Sequence, residues 1–188
     1  MQLVSISENK TIEKRIAITP EMAKKYLGLG FELTLPDNYG THLGFNDEEY
    51  KKSGVNFSSD EKKIIDRADI LIQMGLPDDN KLSFLNSSQT IIGSLNVYSN
   101  NEKLKILNSK KINCFSLDLL PRITRAQSMD ILSSQANLAG YKAVIEAFQL
   151  YEKAIPMMMT AAGTIPAAKV LVVGAGVDGL QAIATAKR

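Results

Sequence analysis

Three glycines carry the clearest chemical pattern in the chain. Gly174, Gly176 and Gly179 form a Gly-x-Gly-x-x-Gly run directly after the β-branched stretch Lys169–Val173 and directly before Leu180–Lys187, a good helix sequence. In that setting the first glycine permits a tight turn, the second lets a pyrophosphate approach the backbone, and the third lets helix and strand pack closely. Free N–H groups and the positive helix end then face the phosphates. The same glycine spacing also serves ordinary strand–helix turns, and it is the strand–turn–helix setting that points to a dinucleotide. Asp178 stands inside the run. As a first-turn acid it suits the helix dipole, and turned inward it would weaken anion binding. The acidic residue that would hold the ribose, about 20 residues on, falls beyond Arg188, so the run does not separate NAD from NADP.

A second group of polar residues lies in Leu120–Gln135. Gln127, Asp130 and Ser133 or Ser134 recur every three or four residues and share one face of an expected helix. Arg122 stands where it could pair with Asp130 across the turn. An amide, a hydroxyl and a fixed ion pair suit recognition of a carboxamide and a ribose. The same residues equally suit a helix start capped by Thr124 or Ser128, with Asp130 on the dipole. The residues alone leave these two readings level.

The elements that would position both groups follow from short apolar runs alternating with amphipathic stretches. Leu3–Ile6, Phe31–Leu35, Ile70–Met74, Ile91–Leu95 and Asn113–Leu117 read as strands. Glu21–Leu29 reads as a helix, capped by Thr19 with Pro20 at its first position and stopped by Gly30. Asp47–Ser53, Ser59–Ala68 (capped by Ser58 or Ser59) and Asn101–Asn108 read as helices too. This alternation predicts a parallel sheet covered on both faces. A long helix is expected over Gln127–Tyr151, with Leu132, Ala136, Ala139 or Gly140, Ala143 and Ala147 as a stripe of small side chains for close packing. The run Pro156–Thr160 holds three methionines, which read as core filler.

Composition narrows the classes. The 188 residues are 45% hydrophobic and 22% charged, the profile of an ordinary globular chain. A net charge of +2 without a basic cluster excludes a nucleic-acid footprint. No stretch approaches the ~18 apolar residues of a membrane span, and the N-terminus lacks a signal-peptide pattern. Direct membrane insertion is therefore not expected, and the expected location is cytoplasmic. Cys114 is the only cysteine and reads as a small core residue in Ile112–Leu120, in preference to a reactive thiol. His42, the only histidine, excludes a histidine-cluster metal site and reads as a surface loop residue.

Read together, PRITRAQSMDILSSQANLAGYKAVIEA, PMMMTAAGTIPAAKVLVVGAGVDGLQAIATAKR and the amino-terminal ENKTIEKRIAITPE closely resemble the α subunit of proton-translocating NAD(P) transhydrogenases. The resemblance covers essentially the whole chain, and RAQSMD with SSQANLAGY is far more specific than the glycine run. It implies two Rossmann-like, doubly wound parallel-sheet domains that flank an NAD(H) cleft and are joined by a long helix. The domains would span 1–126 and 156–188, with the joining helix at 127–155. The second domain would be truncated after its first β-α unit. Arg122, Gln127, Asp130 and Ser133 would surround the nicotinamide, and Gly174, Gly176 and Gly179 would take the pyrophosphate. Where the family commonly has alanine, this chain has Asp178. The implied activity is hydride transfer from NADH to NADP bound elsewhere, coupled to proton translocation. The implied partners are a second copy in a homodimer and the NADP(H)-binding and membrane-spanning subunits, which would place the chain peripheral to the inner membrane.

Alanine dehydrogenase, a relative of the same fold with a similar amino-terminal motif, is the alternative. Arg15 would there hold the substrate carboxylate. The lysine and histidine that enzyme needs would fall near Gly75 and at Asn96, and this chain has neither, so imine chemistry would lack its acid–base groups. Hydride passing directly between two nicotinamides needs no such groups. A third reading is a non-catalytic NAD(H)-binding module.

Overall fold

The structure is a computed structural model that describes residues 1–187. The described chain divides into two compact units, Met1–Pro121 and the residues from Arg122 onward.

The first unit is a six-stranded, all-parallel sheet. Its strands are β1 (Gln2–Val4), β2 (Glu32–Pro36), β3 (Asn56–Ser58), β4 (Ile70–Ile72), β5 (Thr90–Gly93) and β6 (Asn113–Ser116), in the spatial order β3-β2-β1-β4-β5-β6. Five helices connect them: α1 (Pro20–Gly28), α2 (Asp47–Lys51), α3 (Glu61–Asp66), α4 (Asp79–Ser83) and α5 (Asn101–Ser109). Successive strand residues point to opposite faces, and the core divides accordingly. Leu3 joins Leu33, Leu35, Ala23, Tyr39 and Tyr50 in one buried cluster. Its neighbour Val4 joins Leu71, Ile91, Ile64, Ile65 and Leu107 in the other. Both faces of the sheet are thus covered, as the near-continuous apolar strand runs require.

The expected elements are present with ends shifted by a few residues. Thr19 caps α1, accepting from Met22 N, with Pro20 next to it. Asp60, not Ser58 or Ser59, caps α3, accepting from Lys63 N. Cys114 is exposed, not a core residue. It lies on the edge strand β6, whose first three residues are all exposed, so the apolar run there does not mark a core.

The second unit opens with a 3₁₀ turn, Thr124–Met129, followed by α6 (Ile131–Leu150), the antiparallel hairpin β7 (Met158–Thr160) and β8 (Gly163–Ile165), and α7 (Val177–Lys187). The long helix is therefore shorter at its start than expected, and Gln127 belongs to the 3₁₀ turn. The helix does pack closely, against α7, but through Gly140 and Val144 with Ala136 and Phe148 beside them. Leu132, Ala139, Ala143 and Ala147 are exposed. Two further expectations fail here. The methionine run is a hairpin whose Met157 and Met159 are 64% and 82% exposed, because a two-stranded ribbon has no interior of its own. Lys169–Val173 pairs with no strand among the described residues, and Leu171 and Val173 are 88% and 91% exposed. A strand exists only by its neighbour, and none stands beside it here.

Candidate functional site

Within the second unit, the glycine run makes the turn its spacing foretells. Gly174 has φ of 112°, a conformation other residues avoid. A Cβ on Gly179 would lie 2.3 Å from the Gly174 carbonyl oxygen, so only glycine allows α7 to start so close to the preceding segment. Gly176 is exposed on the turn. The three glycines bring backbone to the surface ahead of the α7 N-terminus, where Asp178 Oδ1 takes the Gly179 N–H at 3.0 Å and the other N–H groups of the turn suit an anion.

The α6 start resolves into a cap. Asp130 is the N-cap: its Oδ1 accepts from Ser133 N at 2.9 Å and its Oδ2 from Ser133 Oγ at 2.6 Å. Those two bonds, the hydroxyl's foremost, hold the Asp130 carboxyl below its ordinary range, with a smaller contribution from the charge of Arg122. Arg122 forms no ion pair with Asp130 within 4.0 Å among the described residues. Thr124 and Ser128 do not cap the helix. Arg122 and Gln127 are exposed, and the Gln127 amide makes no hydrogen bond among the described residues, so it is free to meet a ligand. Gln127, Asp130 and Ser133 therefore do not share one helical face: Gln127 projects from a 3₁₀ turn, and Asp130 and Ser133 bind each other.

One contact ties the two groups together. Gly140 of α6 lies against the Asp178 backbone, where a Cβ would come within 2.0 Å of the Asp178 carbonyl oxygen. Ser133 stands seven residues before Gly140 on the same helix, about 10 Å along its axis at 1.5 Å per residue. Helix α6 thus acts as a ruler between the glycine turn and the polar residues at its own N-terminus.

The first unit holds a separate polar pocket of about 380 Å³. It opens at the carboxyl ends of β1, β4 and β5, where the strand order reverses between β1 and β4, the usual ligand crevice of a doubly wound sheet. Arg15, Gly75 and Asn96 all line it. Its half-buried carboxylate, Glu8, accepts from Met74 N at 2.7 Å and from Gln73 Nε2 at 3.1 Å. Burial raises the Glu8 pKa against the opposing pull of the Met74 and Gly75 N–H groups. Behind it, the buried Gln73 Oε1 accepts from Ser5 Oγ and from Ile6 N, each at 2.8 Å. Ser5 pairs with the Tyr39 hydroxyl, which also accepts from Ala17 N and Ile18 N. This network fixes both ends of the loop carrying Glu8 and Arg15, and burial pushes the Tyr39 phenol up to about 12. The lining amine of Lys81 is held by Glu61 at 2.9 Å and by Ser7 O at 2.8 Å. Arg15 pairs with Glu13 at 2.6 Å. His42 lies outside the pocket, exposed, with Nε2 2.7 Å from Lys14 O. Glu8 enters the sequence reading only as the first residue of the amino-terminal ENK motif, and Gln73 and Tyr39 are given no role there; the strand order locates the crevice they surround.

The parallel order β3-β2-β1-β4-β5-β6, with a glycine turn opening a further helix, defines a Rossmann-like α/β protein. The family described as "Alanine dehydrogenase/PNT, N-terminal domain" matches residues 5–139, and "Alanine dehydrogenase/PNT, C-terminal domain" matches residues 143–188. The chain belongs to the alanine dehydrogenase/PNT family. It is 46% identical over 192 residues to an NAD(P) transhydrogenase subunit alpha polypeptide of Rickettsia prowazekii, across 100% of this chain and 50% of that protein. The crystal structure of transhydrogenase from Sinorhizobium meliloti superposes with a TM-score of 0.91 at 42% identity, covering 98% of this chain and 55% of that one. Alanine dehydrogenase of Halomonas elongata is more distant, 25% identical over 97% of this chain and 49% of that protein. The chain spans about half the length of these two curated relatives.

Proposed function

We propose that this chain is a portion of the NAD(H)-binding component of a proton-translocating NAD(P) transhydrogenase. The observation that carries the reading is the likeness, across the full length of this chain, to transhydrogenase α subunits, supported by a glycine turn whose close approaches suit a dinucleotide pyrophosphate. Bound NADH would supply the hydride. Gly174, Gly176 and Gly179 would hold its pyrophosphate through backbone N–H groups, and Arg122, Gln127, Asp130 and Ser133 would orient its nicotinamide. Gln127 offers its unengaged amide for the carboxamide, while Asp130 and Ser133, locked together, would present a rigid polar edge. We read NAD(H), not NADP(H), as the cofactor. The dinucleotide-binding domain would begin at about residue 156, after a helix at 127–155 and an α/β domain over 1–126; the break between compact units falls at 121/122, so that helix groups with the second unit.

The partners would be a second copy, an NADP(H)-binding subunit and a membrane-spanning subunit. Among the described residues no helix is long and apolar enough to cross a membrane.

The pocket of the first unit speaks against alanine dehydrogenase chemistry. Arg15 lines it, but Gly75 and Asn96 supply neither amine nor imidazole, and the amine of Lys81 is engaged by Glu61 and Ser7. Amination of a keto acid needs a proton donor and acceptor there; hydride transfer between two nicotinamides needs positioning only. The test is the complete protein assembled with its NADP(H)-binding and membrane subunits, assayed for hydride transfer from NADH to NADP and, separately, for turnover with pyruvate, ammonia and NADH. Transfer to NADP without pyruvate turnover is expected. Pyruvate turnover at ordinary enzyme rates would overturn the reading, and NADH binding with no transfer would leave a binding module.

A further inference from the structure

Asp178 puts an acid where an anion is to bind. Its side chain is exposed but lies along the turn: Oδ1 accepts from Gly179 N at 3.0 Å, and the position a Cβ would take on Gly176 is 3.3 Å from that same oxygen. The carboxylate therefore folds back over the glycine turn and occupies one of its N–H groups. Its backbone is pinned from the other side by Gly140 of α6, so the residue cannot be displaced as a whole without moving a helix. No ion pair neutralises it among the described residues.

From this geometry we propose that Asp178 is an affinity-setting residue, a fixed negative charge against the pyrophosphate that weakens dinucleotide binding and hastens its release. The inference rests on the NAD(H) reading of the glycine turn. The charge repels the phosphates and leaves the nicotinamide untouched, so it acts equally on NADH and NAD+. It therefore shifts how tightly both are held without changing the balance between them. A cofactor that must be exchanged after every hydride transfer gains turnover from such loosening when release is slow. The same acid stabilises the first turn of α7 through the helix dipole, which explains why the fold tolerates it.

The experiment compares the complete wild-type protein with Asp178→Asn and Asp178→Ala, titrated with NADH, NAD+, ADP-ribose and adenosine. Asparagine keeps an acceptor for Gly179 N and removes only the charge. Both variants are expected to bind NADH, NAD+ and ADP-ribose roughly 3- to 30-fold more tightly, the range for losing one partly solvated like charge a few Å away. Adenosine, which carries no phosphate, should bind all three proteins alike. The gain should shrink in 1 M salt, where the screening length falls to about 3 Å. Wild-type affinity for NADH in Asp178→Asn, or equal tightening of adenosine and ADP-ribose, would overturn the inference while leaving the NAD(H) reading intact. If the wild type and both variants all fail to bind NADH and ADP-ribose, the reading of the glycine turn falls and the inference with it.

Discussion

Gly140→Ala tests the contact that joins the two proposed halves of the NAD(H) site. In the middle of an unobstructed helix this change stabilises, by about 1 kcal/mol, because alanine has the higher helix propensity. Here the new methyl would lie 2.0 Å from the Asp178 carbonyl oxygen and 2.7 Å from its carbonyl carbon, where ordinary contact begins at 3.4 Å. Helix α7 must then retreat from α6 by at least about 1.4 Å, and the obstacle is backbone, which cannot rotate aside. Overpacking of this kind costs about 1–3 kcal/mol. Set against the propensity gain, the expected net effect is a loss of up to about 2 kcal/mol. The retreat also carries the glycine turn away from the α6 N-terminus, and a misplacement of about 1 Å costs on the order of a hundredfold in rate. Thermal unfolding and NADH titration of the complete protein, beside hydride transfer in the assembled enzyme, read these effects. A Gly140→Ala protein that is more stable than wild type and binds NADH normally would refute the packing argument.

Two further outcomes follow from the geometry. Gln127→Ala should leave stability within about 0.5 kcal/mol, since the side chain is exposed and unbonded, yet should cut hydride transfer sharply. Asp130→Ala should lower both, because it removes the α6 cap as well; hydride transfer in the assembled enzyme beside thermal unfolding separates the two, and a Gln127→Ala enzyme with wild-type transfer would remove that residue from the site. Burial raises the Glu8 pKa above its ordinary value, so the folded state binds the proton more tightly than the unfolded state. Stability should then fall as pH rises from the ordinary glutamate range, ~4.3, up to the folded pKa, and the penalty should persist above it. Glu8→Gln should remove that part of the pH dependence in urea unfolding; identical profiles for the two proteins would contradict it.

What the sequence discloses depends on how local each signal is. Thr19-Pro20 announces α1 because cap and first turn are neighbours in sequence, and the glycine run announces its turn for the same reason. The α6 start reads from the sequence as capped by Thr124 or Ser128 with Asp130 on the dipole; the 3₁₀ geometry of Thr124–Met129 delays the helix and makes Asp130 the cap instead. Strand β3, Asn56–Ser58, carries only one apolar residue and lies at a sheet edge, so periodicity does not reveal it. Cys114 and the three methionines read as buried because apolar runs usually are, but an edge strand and a two-stranded hairpin expose theirs. The Ser5–Gln73–Tyr39 network joins residues up to 68 positions apart, and nothing short of the strand order brings them together.

The central claim is that this chain contributes to an NAD(H) site, and cofactor choice tests it most directly. The complete protein should be titrated with NADH and NADPH under identical salt, following nicotinamide fluorescence. The account predicts saturable binding with NADH clearly preferred, and loss of that binding in Gly179→Ala, whose Cβ would strike the Gly174 carbonyl 2.3 Å away. Equal or tighter binding of NADPH, or NADH binding that survives Gly179→Ala unchanged, would contradict it.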